Sequence, residues 1–339
     1  MTSATFRLRN TAVLSISAVE APLVLTSAEI DDRLAPTYRR TRLRPGLLQK
    51  LAGVHERRWW PTDVSFADAA AMAGAKALAE AGVHADQVGI LINTSVSRSH
   101  LEPSTAVAIH HQLGLRPHAI SFDVVNACLG FLTAIHLAGT MIDSGQLQYA
   151  LIVAGEGSRQ TQERTLERLA GDDATAADIR EHFATLTLGS GAAAIVLGPA
   201  DDRPEGHRVV GGVTKAATEH HDLCVGDLQQ MRTDIRALSK AGVALAVGLW
   251  EDAKPEFSWA DASRFVAHQT SVAHVREVAR GIGVDRDRFP LSLPSFGNMG
   301  PVSVPFTLAR EADALHSGDQ VVLLGIGSGL NASFVELTW

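Results

Sequence analysis

Apolar positions along the chain alternate between two textures. Short runs rich in Val, Ile and Leu end in small polar residues, and longer Ala-rich runs lie between them. VGILINTSVS (88–97), HAISFDVV (118–125), YALIVAGEG (149–157) and GAAAIVLG (191–198) have the length and β-branched content of strands. FADAAAMAGAKALAEAG (66–82) has the length and composition of a helix. This alternation predicts an α/β fold. LGPADDRPEGHRVVGG (197–212), rich in Pro, Gly and charge, marks a boundary and divides the chain into 1–200 and 201–339. Beyond it come a β-like FVAHQTS (265–271), a helix-like HVREVARGIG (274–283), a Gly-rich loop SFGNMGPVS (295–303) and a last strand, QVVLLGIGSG (320–329).

A weak internal repeat links the two parts. DSGQLQYALIVAGEG (143–157) and HSGDQVVLLGIGSG (316–329) both read as a Ser-Gly turn, a spacer, an apolar β-run and a Gly-rich end. Each follows a helix-like segment that begins near a distinctive polar residue, Cys128 in one part and Asn298 in the other. Two copies of one α/β unit would let functional groups from both converge.

Composition narrows the function. The chain has 339 residues, 46% hydrophobic and 20% charged, with a formal net charge of -7 and no basic tail. Nucleic-acid binding, which needs a basic footprint, is not expected. No apolar run reaches the roughly 18 residues that span a bilayer, and the N-terminus lacks the order of a signal peptide. Two cysteines, Cys128 and Cys224, cannot build a disulfide framework. A cytoplasmic protein with reduced thiols is expected.

Cys128 stands where the strand-like FDVV turns into the apolar LGFLTAIHLA. At the first turn of a buried helix, free backbone N–H groups would lower the thiol pKa and could hold an oxyanion. Gly130 removes bulk beside the sulfur. Cys128 is the candidate nucleophile. Cys224 lacks this context; with His220 and His221 it offers three metal ligands without paired spacing, so no metal site is assigned. A cysteine nucleophile wants an imidazole and hydrogen-bond donors. Of fourteen histidines, His268 follows a β-run, and Asn298 lies in the Gly-rich GNMGP loop. Cys, His, Asn is also the order of papain-like proteases, whose local cysteine signature is absent.

FDVVNACLGF, VAHQTS, GNMGPVSVP, LLGIGSGL and, near the N-terminus, GVHERRWW resemble the motifs of the thiolase superfamily, within it the ketoacyl synthase III-like condensing enzymes. The resemblance spans nearly the whole chain. His268-Gln269-Thr270-Ser271 replaces the H-Q-A-N usual in fatty-acid-initiating synthases, and Asn126-Ala127 replaces two alanines before the cysteine. ILINTSVSRSHLEPSTA (90–106), TLERLAGDD (165–173) and VTKAATEHHDLC (213–224) resemble the OleA-type enzymes of long-chain olefin biosynthesis.

The resemblance implies a thiolase fold, five-layered αβαβα, built from two similar halves. It implies a homodimer that joins two long-chain fatty acyl-CoA molecules by non-decarboxylative Claisen condensation, giving a 2-alkyl-3-keto acid through an acyl-Cys128 intermediate. Backbone N–H groups of Cys128 and Ser328 would hold the oxyanion. His268 and Asn298 would hold the thioester oxygen of the second substrate. Glu102, donated from the neighbouring subunit, would be the base. No cofactor is implied, CoA being part of the substrate, and downstream pathway enzymes are possible partners. The charged insert 161–186 is expected to be either a cap or dimer contact, or a solvated helix. Arg39, Arg40, Arg42 and Arg44 form a basic cluster that could meet CoA phosphates or simply face solvent. The alternatives are a decarboxylative ketoacyl synthase III, which would not need Glu102, a thioesterase, and a subunit that completes a partner's site.

Overall fold

The computed structural model describes residues 3–227 and 230–339. Its strands in chain order are β1 (Ala4–Arg7), β2 (Thr11–Glu20), β3 (Leu23–Thr26), β4 (Glu56–Trp59), β5 (Val88–Asn93), β6 (Ile120–Asp123) and β7 (Tyr149–Glu156). They continue with β8 (Gly191–Pro199), β9 (His207–Ala216), β10 (Cys224–Gly226), β11 (Met231–Thr233), β12 (Arg264–Ala267), β13 (Gln320–Gly327) and β14 (Asn331–Thr338).

Among the described residues, ten strands are linked by hydrogen bonds, but the linkage has a narrow waist. β2 meets β9 only at Ala12–Arg208 and Val13–His207. On one side lies a sheet of order β6-β5-β7-β8-β2, on the other β12-β13-β14-β9 with β1 beside β9. β5, β6 and β7 run parallel, as do β12 and β13. The chain's first strand therefore sits in the sheet built mainly by its last third.

Each sheet is covered on both faces, and burial patterns show why. Every residue of β7 and β8 is buried, as expected of strands with helices above and below. The helix Phe66–Ala81 packs Ala69, Ala70, Ala73 and Ala77 against the outer face of the first sheet; their small side chains bring helix and sheet close. It starts at a Ser65–Asp68 capping box and ends at Gly82 in the left-handed conformation. The helices Ile235–Ala253 and Val272–Ile282 cover the outer face of the second sheet, in a cluster with Trp250, Trp259 and Phe334. Between the sheets lie the helices Gly130–Asp143 and Ser303–Glu311, whose residues share one core with the inner faces of both. The order is helix, sheet, helix, sheet, helix: the expected five layers.

A cap stands beside this body. The antiparallel pair β3–β4, the helices Ser27–Arg33, Ala35–Thr41 and Arg159–Ala170, and the helical turns Ala176–Glu181 and Phe183–Thr187 form it. Ile30 packs there with Leu34, Trp59, Leu169, Ile179 and Leu186 in a cluster of their own. The insert 161–186 is thus a cap, with a buried face of Gln162, Thr165, Leu166 and Leu169. Gln162 ties it down: its Oε1 accepts from Trp59 Nε1 at 2.6 Å, and its Nε2 donates to the carbonyls of Thr185 (3.0 Å) and Leu188 (2.8 Å). Arg57 of GVHERRWW is fully buried and donates to the Leu25 and Leu186 carbonyls and to Ser27 Oγ. Arg40 donates to the carbonyls of Gly171 and Ala174, so one member of the basic cluster has a role within the cap.

Candidate active site

Cys128 lies in a tight turn between β6 and the first central helix. The helix begins at Gly130 with Leu129 as its N-cap, so Cys128 precedes the helix instead of occupying its first turn. Leu129 N donates to the Asn126 carbonyl at 2.9 Å, and Ala127 takes a left-handed φ of 45°. That conformation costs a residue with a Cβ about 1 kcal/mol. The Asn126 side chain steadies the turn from both sides. Its Nδ2 donates to Thr133 Oγ1 in the central helix, and its Oδ1 accepts from Asn331 Nδ2 at the start of β14. Gly130 serves backbone packing more than the sulfur: a Cβ there would meet the Val124 carbonyl at 2.9 Å and the Thr94 carbonyl at 3.1 Å.

The expected lowering of the thiol pKa is overturned. Burial pushes Cys128 up to about 12, with smaller contributions from the Cys224 and Glu156 charges; its backbone N–H pulls only weakly the other way. Desolvation of a thiolate outweighs a helix end that starts two residues later.

Cys128 opens into a cavity of about 2330 Å³ that also receives His268, Asn298, Ser328, Glu156 and Cys224. Its walls are largely apolar, with Leu47, Phe66, Phe122, Phe183, Leu238 and Met299 from the body and the cap. The structure thus brings together the residues from both ends of the chain that the sequence singled out.

His268 follows β12 and is 6% exposed. Its backbone N–H donates to the Leu324 carbonyl of β13 at 2.7 Å. Neither ring nitrogen meets full hydrogen-bond geometry among the described residues, although the Gly300 backbone lies near enough to pull the pKa weakly up; burial, helped by His274, lowers it to about 3. The ring is therefore neutral at physiological pH, with one N–H to give. Gln269 fixes the strand end, accepting from the Ser292 and Leu293 N–H groups and donating to the Pro290 carbonyl. Asn298 is anchored by its backbone to Thr187 and Gly189. Its Oδ1 accepts from Gly300 N at 3.0 Å, which leaves the Nδ2 amide for a ligand.

Two features escaped the sequence reading. Glu156, the last residue of β7, is 7% exposed and lines the cavity. It accepts from Val96 N (2.6 Å), Ser97 N (3.2 Å) and Ser97 Oγ (2.6 Å), yet burial raises its carboxyl to about 7. A carboxylate closing an otherwise apolar strand was the available signal. Cys224, which the sequence left without context, shares the cavity with Cys128 and lies 3.4 Å from Thr233 Oγ1. Glu102 is exposed and does not line the cavity of its own chain, although its neighbours Leu101 and Ser104 do.

Relatives carry the same architecture. Residues 122–216 match 3-oxoacyl-[acyl-carrier-protein] synthase III, and residues 253–339 match that family's C-terminal part. An acyl-CoA:acyl-CoA alkyltransferase of Xanthomonas campestris pv. campestris is 42% identical over 335 residues, covering 98% of this chain and 99% of that protein. Its counterpart in Shewanella oneidensis is 35% identical over 94% of this chain and 96% of that protein. A cysteine-to-serine variant of Xanthomonas campestris OleA, crystallised with lauric acid and lauroyl-CoA, superposes with a TM-score of 0.96 at 41% identity, covering 98% of this chain and 100% of that one. A layered body with two sheets around a cysteine turn that opens into a large apolar cavity, together with near full-length identity at this level, has one consistent reading: the chain belongs to the OleA family of acyl-CoA:acyl-CoA alkyltransferases, within the ketoacyl synthase III-like branch of the thiolase superfamily.

Proposed function

We propose that the chain condenses two long-chain acyl-CoA molecules head to head, without decarboxylation, to a 2-alkyl-3-keto acid. The observation that carries this is the large apolar cavity in which Cys128, His268 and Asn298 meet. The division of labour follows the two parts of the chain, 1–200 supplying the thiol and 201–339 the imidazole and the amide, on either side of the turn between β8 and β9.

Cys128 attacks the first thioester, and the backbone N–H groups of Cys128 and Ser328 hold the oxyanion. The thiol is protonated in the free protein, so its proton leaves as the sulfur attacks, and the departing CoA takes it up. The second acyl-CoA then binds with its thioester oxygen against the His268 N–H and the Asn298 Nδ2. Both are neutral donors, suited to an enolate that forms only in the transition state. A base removes the α-proton, the carbanion attacks the acyl-Cys128 carbonyl, and the C–S bond to Cys128 breaks, the sulfur leaving as thiolate and regaining its proton. The product is a 2-alkyl-3-ketoacyl-CoA, and water cleaves its thioester to give the keto acid. The steps need a thiol, a base and hydrogen-bond donors, and no cofactor beyond the CoA that the substrates carry.

Glu102 is the proposed base, and its placement supports a homodimer. β6 is an edge strand. Around it Val96, Leu101, Val107, Ile120 and Val125 are exposed. An open strand edge flanked by apolar side chains is a template for pairing with a second copy. Such pairing would carry the exposed Glu102 loop towards the partner's cavity. Acyl-CoA chemistry fits a cytoplasmic location, and no helix among the described residues is long and apolar enough to cross a membrane.

The test is to mix the purified protein with myristoyl-CoA alone and follow free CoA and lipid products by mass spectrometry. A doubled-chain β-keto acid, or its ketone, is expected. CoA release with only free fatty acid would mean a thioesterase or a subunit lacking a partner. A requirement for a malonyl thioester would mean a decarboxylative synthase.

A further inference from the structure

A second polar station lies in the same cavity. Ser239, in the helix Ile235–Ala253, and His274, in the helix Val272–Ile282, both line it. Ser239 Oγ and His274 Nδ1 are 3.2 Å apart. His274 is 7% exposed, and burial holds its pKa below the usual imidazole range, so the ring is neutral. Its backbone N–H is fixed by Ser271 Oγ at 3.0 Å. The imidazole edge lies against Gly242, where a Cβ would come within 3.3 Å of Cε1 and 3.8 Å of Nε2, and beside Ile326. Ile326 stands two residues before Ser328 in the strand end proposed to hold the oxyanion. Nδ1 pairs with Ser239, which leaves Nε2, on the edge beside Gly242, as the second ring nitrogen; His274 and Gly242 both line the cavity.

The proposed reaction needs this chemistry. Condensation consumes the acyl-Cys128 thioester but leaves the second one intact, and a free keto acid requires water to cleave it. Glu102, His268 and Asn298 already have roles in the carbon–carbon step. We propose that His274, oriented by Ser239, is the general base for hydrolysis of the condensed thioester, a reading that rests on the condensation proposed above. In the tautomer this role requires, Nδ1–H donates to Ser239 Oγ and the Nε2 lone pair, beside Gly242 on the cavity wall, is the base. Nε2 takes a proton from water as the water oxygen attacks the thioester carbonyl. The C–S bond breaks, and the imidazolium returns that proton to the CoA thiolate. His274 is the catalytic residue and Ser239 the positioning residue.

The experiment uses two substrates on the full-length protein. Myristoyl-CoA tests the whole sequence; the synthetic 2-alkyl-3-ketoacyl-CoA built from two myristoyl chains bypasses condensation and tests hydrolysis alone. Failure of the wild type on the first substrate bears on the condensation reading; the second isolates the present proposal. His274→Asn should hydrolyse the synthetic thioester about 100-fold more slowly. Ser239→Ala should be impaired in the same direction to a smaller extent. From myristoyl-CoA both variants should accumulate the intact condensed thioester, so that CoA released per condensed product drops from two towards one. Thermal midpoints close to wild type would exclude a folding defect, and Ser239→Ala, the milder change, keeps the test available if His274→Asn folds poorly. Unchanged hydrolysis of the synthetic thioester in both variants would overturn the proposal. So would loss of Cys128 acylation along with hydrolysis, which would make the pair part of substrate binding.

Discussion

Gly327, at the end of β13, presses so closely on the cysteine turn that a Cβ at its position would lie 2.9 Å from the Asn126 carbonyl oxygen and 3.2 Å from Leu129 N. Through this contact the second part of the chain closes over the nucleophile supplied by the first. Gly327→Ala should therefore shift the turn instead of adding a harmless methyl. It should destabilise the protein by about 1–3 kcal/mol and slow acylation of Cys128. The pair of readings is a thermal midpoint and the mass of the acyl-enzyme after brief exposure to myristoyl-CoA; a variant matching wild type in both would mean that the turn tolerates displacement.

The Cys128 thiol is held at about 12 by burial. Alkylation of the free protein by iodoacetamide should be slow at neutral pH and still rising at pH 10. The measurement belongs in a Cys224→Ser background, because Cys224 shares the cavity. A plateau near pH 8 would show that the backbone N–H groups of the turn dominate after all.

Burial raises the Glu156 carboxyl from 4.5 to about 7. The folded protein then binds this proton more tightly than the unfolded chain does. The stability it contributes is full below pH 4.5 and is lost as the pH rises through 7. The loss amounts to about 3 kcal/mol. Glu156→Gln stays neutral throughout, so its thermal midpoint should gain on that of wild type across this window. Any change in hydrogen bonding to Val96 and Ser97 would add only an offset independent of pH; two parallel curves would refute the assignment.

Glu102→Ala should leave Cys128 acylation intact and reduce condensation at least about 100-fold. If Glu102 serves the neighbouring subunit, mixing Glu102→Ala with Cys128→Ala chains should restore condensation, since a mixed dimer assembles one site with both groups. No recovery in mixed dimers, once their formation is verified, would place Glu102 in its own chain's site.

Much of this site was legible in the sequence, for identifiable reasons. Cys128 stands at a strand–helix junction, His268 follows a β-like run and Asn298 lies in a Gly-rich loop, so local pattern singles them out as candidates. The α/β rhythm was legible for the same reason. Ser239 and His274 were not, because their relationship exists only once two helices pack side by side. Glu156 was hidden by its short context: a strand-end carboxylate reads as solvent-facing until the loop carrying Val96 and Ser97 folds over it. The helix Ile235–Ala253 and strands β2 and β14 carry no element in the sequence analysis, although β2 alternates buried and part-buried positions through much of its length, and the boundary read over 197–212 shrinks to 200–206, since β8 runs to Pro199 and β9 starts at His207. The thiol pKa was misjudged because a helix end is visible in sequence while the depth of burial is not.

The cap keeps its own hydrophobic cluster, separate from those of the layered body, while Ile179 and Phe183 reach from it into the cavity wall. The cap thereby contributes part of the cavity wall without sharing the core that holds the cysteine turn. Substitutions in the cap can reshape the space for alkyl chains while the cysteine turn stays clamped between two sheets.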